Sequence, residues 1–123
     1  KQTRPPHWAT IEEPINICAA LHEAEVNYQV VLLDCMTLWI SNLLTRVSLS
    51  EEEVKGRIEE LALLLPSLRC SLVAVTNEVG MGVVPENPLA RSFRDLAGFA
   101  NQKLSEASSQ AYFMVSGLPV RLK

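Results

Sequence analysis

The chain has 123 residues, 48% of them hydrophobic, and a formal net charge of −3. These values are typical of a single domain with its own core, and the acidic balance excludes a broad basic surface for nucleic acid. No apolar run reaches the roughly 18 residues of a membrane helix and no signal peptide is evident, so we expect a cytoplasmic protein without membrane insertion.

The three cysteines, Cys18, Cys35 and Cys70, form no Cys-x-x-Cys pair and lie in apolar surroundings. This pattern favours reduced thiols over a disulfide or a metal site.

The first residues predict an irregular start. Arg4-Pro5-Pro6 is stiff and extended because proline restricts φ and restricts its predecessor. Residues 8–12 then predict a short strand that ends in an acid, and residues 13–24 predict a helix with Pro14 near its start.

Two apolar runs predict buried strands. Val30–Leu33 is typical of a strand covered on both faces, and it ends in Asp34. A carboxylate at that place either holds magnesium beside a phosphate loop or caps the next helix, and spacing leaves both interpretations open. Residues 70–75 form the second run, which delivers Thr76, Asn77 and Glu78 to the same sheet edge.

Three helices follow from periodicity and capping. Residues 37–45 form an unusually apolar helix, and Ser50 with Glu53 matches a capping box at the start of a helix that Pro66 stops. Asn87 caps the last helix, with Pro88 at its first position. Its predicted core side chains are Leu89, Phe93, Leu96, Ala97, Ala100 and Leu104.

The opposite side of that last helix carries Arg91, Arg94, Gly98 and Asn101. Two guanidinium groups on one stripe either clamp phosphates or belong to a solvated face or a subunit contact.

Residues 111–115 predict a third buried strand, and residues 118–122, interrupted by Pro119, predict an edge strand. The order of strands and helices predicts an α/β fold with parallel neighbours. None of the five glycines precedes a lysine, so a Gly-Lys-Ser/Thr phosphate loop is lacking.

One long motif, with several shorter ones, is highly specific. The matching residues are Arg4-Pro5, His7-Trp8, Thr10, Glu12, Leu32-Leu33-Asp34-Cys35, Thr37, Asn42-Leu43-Leu44, the run from Thr76 to Asn87, Ala90-Arg91, Phe93-Arg94-Asp95, Ala97-Gly98, Asn101-Gln102 and Val115-Ser116-Gly117. In these residues the chain resembles the bifunctional adenosylcobinamide kinase / adenosylcobinamide-phosphate guanylyltransferase of cobalamin biosynthesis.

The resemblance implies a P-loop NTPase-like fold with a mostly parallel sheet flanked by helices, assembled as a homotrimer. It implies phosphorylation of adenosylcobinamide by a nucleoside triphosphate, ATP or GTP, with Mg²⁺. GMP then passes from GTP to adenosylcobinamide phosphate through a guanylylated histidine. The family's N-terminal strand, phosphate loop and acceptor histidine have no counterpart in residues 1–123. We therefore expect a single α/β domain that forms the C-terminal two-thirds of a larger one, with no catalytic residue of its own and inactive alone.

By position in the family's motifs, the resemblance assigns GTP binding to Lys1, Gln2, Thr3, Arg4, Glu12 and Asp34. It also assigns Asp34 to the magnesium site. Asn77, Glu78, Arg91 and Arg94 are second-tier candidates. His7 aligns with a different family position from the acceptor histidine. A non-catalytic subunit that retains the trimer surface, and a P-loop NTPase of other specificity, stay as alternatives.

Overall fold

A computed structural model describes Pro5 and residues 7–123. Within this part of the chain the elements are α1 (Ile17–Asn27), β1 (Val30–Asp34), α2 (Met36–Thr45), α3 (Glu51–Leu64), a short 3-10 turn (Leu65–Ser67), β2 (Ser71–Val75), α4 (Pro88–Ala107), β3 (Tyr112–Val115) and β4 (Leu118–Arg121). None of the described helices is both long and apolar enough to cross a membrane.

The strands β1 and β2 form a parallel pair, in register from Val30 opposite Ser71 to Asp34 opposite Val75. This confirms the predicted parallel neighbours and the shared sheet edge. The predicted burial on both faces is wrong for the described chain. Successive strand side chains point to opposite faces, and the helices meet only one of them. Val31 and Leu33 pack against the core, whereas Leu32 is 40% exposed.

The core lies among the helices and is almost entirely aliphatic. Its largest fully buried side chains come from three helices and are Met36, Ile40 and Leu43 of α2, Val54, Ile58 and Leu61 of α3, and Leu96 of α4. Ile17 and Leu21 of α1, Trp39 of α2, and Ala97, Ala100 and Leu104 of α4 belong to the same cluster. The helices α3 and α4 therefore pack against each other through their apolar sides, and both also contact α2.

Both predicted helix caps are confirmed. The Glu53 backbone N–H donates to Ser50 Oγ (3.3 Å), and the Ser50 N–H donates to Glu53 Oε2 (2.8 Å), which closes the capping box. Asn87 Oδ1 accepts from the Ala90 N–H (3.2 Å) at the start of α4. Leu89, predicted to be buried, is 51% exposed because the first turn of α4 extends beyond the core.

The N-terminal part differs from the expectation in two places. Residues 8–12 form no strand, and α1 begins at Ile17 instead of residue 13. The reason for the later start is local: Glu13 Oε1 accepts from the N–H groups of Ile15 (2.8 Å) and Asn16 (2.7 Å), which holds residues 13–16 in a turn ahead of the helix.

The strands β3 and β4 form an antiparallel hairpin that is separate from the parallel pair. A third strand buried beside the first two was therefore the wrong expectation: Tyr112 and Met114 are more than half exposed. The cause lies in the two-residue turn, where Ser116 (φ 53°) and Gly117 (φ 80°) both adopt positive φ. Such a turn joins adjacent antiparallel strands.

Candidate functional site

Two strand ends define one polar edge of the molecule. Asp34 is the last residue of β1 and lies opposite Val75, the last residue of β2. Neighbouring strands are about 4.8 Å apart, so Thr76 and the residues after it leave the sheet beside Asp34. Ligands of open α/β sheets bind at such carboxyl ends.

A groove of about 1080 Å³ lies against this edge, between residues 7–14 and the β1 strand. Glu12 and Asp34 both line it, together with apolar side chains that include Trp8 and Leu38. Two of the residues predicted to bind nucleotide thus share one cavity. Lys1, Gln2, Thr3 and Arg4, the other predicted nucleotide contacts, lie outside the described residues.

The loop after β2 is held by an amide of α4. Asn101 Oδ1 accepts from the Thr76 hydroxyl (2.7 Å), and Asn101 Nδ2 donates to the Asn77 carbonyl oxygen (3.2 Å) and to Glu78 Oε2 (3.4 Å). Glu78 Oε1 accepts from the Gly80 N–H (2.9 Å). Both oxygens of the Glu78 carboxylate are therefore engaged, although the side chain lies at the surface.

A second contact joins this loop to the end of β1. Asn77 Nδ2 donates to Thr37 Oγ1 (3.0 Å), and Thr37 is a buried hydroxyl in the first turn of α2. The Cys35 sulfur lies 3.2 Å from the same oxygen. Asp34 lies three residues before Thr37, so Asn77 connects the loop after β2 to the segment that follows β1.

The arginine stripe of α4 contacts the loop backbone. Arg91 Nη1 donates to the carbonyl oxygens of Pro85 and Glu86, and Arg94 Nη2 donates to that of Gly80 (2.8 Å). Within the described residues, Arg94 Nε is buried and has no hydrogen-bond partner. Both guanidiniums therefore lie beside the strand-exit loop, and they brace it against the helix.

The cysteines are all unpaired thiols, as predicted. Burial raises the pKa of the Cys18 thiol, and the nearby Glu60 carboxylate raises it further. Among the described residues, no cluster of three or more His, Cys, Asp and Glu side chains could hold a metal ion. Mg²⁺ in nucleotide sites usually takes one or two carboxylates and completes its shell with phosphates and water, a pattern that Asp34 in the groove fits.

Sequence reasoning gave no site role to Thr37 or Asn101. Their hydrogen bonds span 40 residues for Thr37 and 23–25 residues for Asn101, and no local sequence pattern reports contacts of that range. One sequence feature could have indicated a site role for Asn101, because Asn101 lies on the same stripe of its helix as Arg91 and Arg94.

The fold and the edge together define an α/β protein with a polar strand-exit site next to a groove. The family model described as cobinamide kinase / cobinamide phosphate guanyltransferase matches residues 1–122. The chain belongs to this family, which confirms the resemblance seen in its motifs.

Three curated relatives align with this chain over 98–100% of its length. The bifunctional adenosylcobalamin biosynthesis protein CobU of Escherichia coli is 38% identical over 135 residues, covering 100% of this chain and 74% of the relative. CobP of Pseudomonas aeruginosa is 38% identical and CobU of Salmonella typhimurium is 35% identical. These two alignments cover 98% and 100% of this chain, and 68% and 74% of the relatives.

Proposed function

We propose that this protein acts in adenosylcobalamin biosynthesis, in the phosphorylation of adenosylcobinamide and the transfer of GMP from GTP to adenosylcobinamide phosphate, with residues 1–123 supplying nucleotide contacts but neither the phosphate loop nor the acceptor histidine. The observation that carries this proposal is the match of the kinase and guanyltransferase family over residues 1–122. Three relatives bear the name bifunctional adenosylcobalamin biosynthesis protein. ATP and GTP are the triphosphate substrates that the proposal requires.

Within this chain, we assign nucleotide contacts to Glu12 and Asp34. They support the role because both line the same groove, which runs along β1 to its last residue, Asp34. Glu12 offers acceptors to ribose hydroxyls or to the guanine edge, and Asp34 offers a hard oxygen ligand to Mg²⁺. Bound Mg²⁺ would neutralise phosphate charge.

The remaining assignments lie around this groove. Lys1, Gln2, Thr3 and Arg4 are proposed to contact GTP, and Arg4 suits phosphate oxygens by its charge and fork geometry. Arg91 and Arg94 retain free guanidinium capacity beyond their loop carbonyls, since the group has five N–H donors. Asn77 and Glu78 present polar groups at the same edge.

We further propose a cytoplasmic homotrimer. The exposed apolar side chains of the β3–β4 hairpin, which include Met114, Leu118 and Val120, support self-association. Sedimentation velocity at several protein concentrations checks this, with a species of three chains as the expected result and a monomer at all concentrations as the contrary one.

The nucleotide assignment is tested by magnesium-dependent binding. Isothermal titration of the 123-residue chain with GTP, and separately with ATP, is run with and without Mg²⁺. We expect Asp34→Asn to lose on the order of tenfold in affinity when Mg²⁺ is present, equivalent to about 1.4 kcal/mol, because the variant lacks the charge that Mg²⁺ contacts. Without Mg²⁺, the affinity should change little.

Asp95→Asn is the matched control, since Asp95 is an exposed aspartate of α4. If Mg²⁺ raised the nucleotide affinity of the Asp34→Asn variant as much as that of the unchanged protein, this result would contradict the role of Asp34. Competition between GTP and ATP on the same chain then ranks the two triphosphates.

A further inference from the structure

The network around Asn101 has a feature that loop bracing alone does not require. Asn101 uses its carbonyl oxygen and its amino group at once, and one of its contacts is the carboxylate of Glu78. An exposed glutamate normally samples many rotamers, and restricting one costs conformational entropy. Here the Gly80 N–H and the Asn101 amide hold the two oxygens separately.

The position of Glu78 gives this arrangement a use. Glu78 lies three residues beyond Val75, which is opposite Asp34 in the parallel register. The Asn77 side chain anchors the intervening backbone to Thr37, which lies in α2 three residues after the end of β1. The network therefore joins α4, the loop after β2 and the first turn of α2 into one unit, and the Glu78 carboxylate belongs to this unit.

We infer that Asn101 is a positioning residue that orients the Glu78 carboxylate toward the magnesium nucleotide at the Asp34 edge. The inference rests on the proposed nucleotide-binding function. With a magnesium nucleotide bound, Asp34 would hold the metal ion, and Glu78 would orient the surrounding polar groups by accepting hydrogen bonds. Partners of this kind orient the inner shell, and their loss typically costs about 10–100-fold in metal affinity or activity.

Glycine at position 80 fits this role. A Cβ added to Gly80 would lie 2.9 Å from Glu78 Oε1, so any larger residue must displace the carboxylate. Gly80→Ala thus perturbs Glu78 from the side opposite Asn101, and it leaves Asn101 in place. The two substitutions should give the same functional defect through different atoms.

The first test measures nucleotide affinity and amide exchange on the 123-residue chain. Asn101→Ala and Gly80→Ala should each weaken GTP binding in Mg²⁺ by about tenfold or more, with a smaller effect in its absence. Asn101→Ala should also speed hydrogen exchange of the Gly80 amide several-fold, because Glu78 loses a partner. Gln102→Ala, at an exposed neighbour on α4, serves as the control.

A second test separates positioning from simple stabilisation. Asn101→Asp places two carboxylates together and should lower both the melting temperature and the affinity. Adding Glu78→Gln restores an amide-to-carboxylate hydrogen bond, so the melting temperature should recover while the affinity in Mg²⁺ does not. Affinity that recovers together with the melting temperature would overturn the inference.

The outcomes also distinguish this inference from the proposed function. Failure of the unchanged chain to bind GTP or ATP contradicts the proposed function. Normal binding with unchanged affinity and unchanged Gly80 exchange in Asn101→Ala contradicts the positioning role alone. Unchanged Gly80 exchange overturns it even when no nucleotide binds, because the exchange measurement needs no ligand.

Discussion

At the scale of single residues, several carboxylates of this chain stabilise turns and helix ends by accepting backbone N–H groups. Glu25 of α1 accepts from the Arg69 N–H (2.7 Å), which lies 44 residues away, and Glu25 Oε1 lies 3.3 Å from His22 Nδ1. The hydrogen bond from Arg69 lowers the pKa of the Glu25 carboxyl, and the contact with His22 lowers it further. Glu13 and Glu53 have lowered pKa values for related reasons.

These shifts predict a specific dependence of stability on pH. The folded pKa of Glu25 is below its ordinary value of 4.5, so its stabilising contribution is complete above that pH and is lost as the pH falls through the folded pKa. We expect Glu25→Gln to be less stable than the unchanged chain at pH 7 and nearly equal to it in strong acid. Urea unfolding at several pH values between 7 and 3 measures this.

The control for this series is Glu23→Gln, an exposed glutamate of the same helix. A constant stability difference between Glu25→Gln and the unchanged chain across the pH range would refute the linkage.

At the scale of elements, local signals account for most helix and strand bounds. The caps at Ser50 and Asn87 and the stop at Pro66 place α3 and α4 within a residue or two of their observed ends. Local signals failed for residues 8–12, because the predicted short strand has no partner strand among the described residues. A strand requires hydrogen bonds from a neighbour, which the sequence of one segment does not specify.

The helix α3 also contains a locally unfavourable residue. Gly56 is exposed, and a Cβ added there would meet no atom within 4 Å. Gly56→Ala should therefore stabilise the protein by about 0.5–1 kcal/mol, because alanine loses less backbone entropy in a helix. Chemical denaturation measures the change.

Gly117→Ala is the control with the opposite expected effect. It should destabilise the protein, because φ at Gly117 is 80° and alanine is strained there. A destabilised Gly56→Ala variant would show that α3 packs against something through this position.

At the scale of the whole molecule, the core is on the helical side of the parallel pair. Ile58 is fully buried, whereas Leu32 on the other face of β1 is 40% exposed. We expect Ile58→Ala to cost about 2–5 kcal/mol of unfolding free energy, and Leu32→Ala to cost much less, because only the first leaves a cavity. Denaturant titration of both variants at low protein concentration is the measurement.

Comparable losses at the two positions would contradict this picture of the core. The result would mean that the outer face of β1 is covered in solution, and repeating the titration at higher protein concentration would show whether another copy of the chain covers it.

The sequence by itself determined the helix caps, the parallel strand pair, the polar edge after Asp34 and Val75, and membership of the family. Each of these depends on nearby residues or on a contiguous motif. The tertiary structure decided which face of the strands is covered, the antiparallel pairing of the C-terminal hairpin, and the contacts of Asn101 with Glu78 and of Asn77 with Thr37. The hairpin pairing is local and follows from the turn at Ser116 and Gly117. The other features depend on groups far apart in the chain, which only tertiary packing brings into contact.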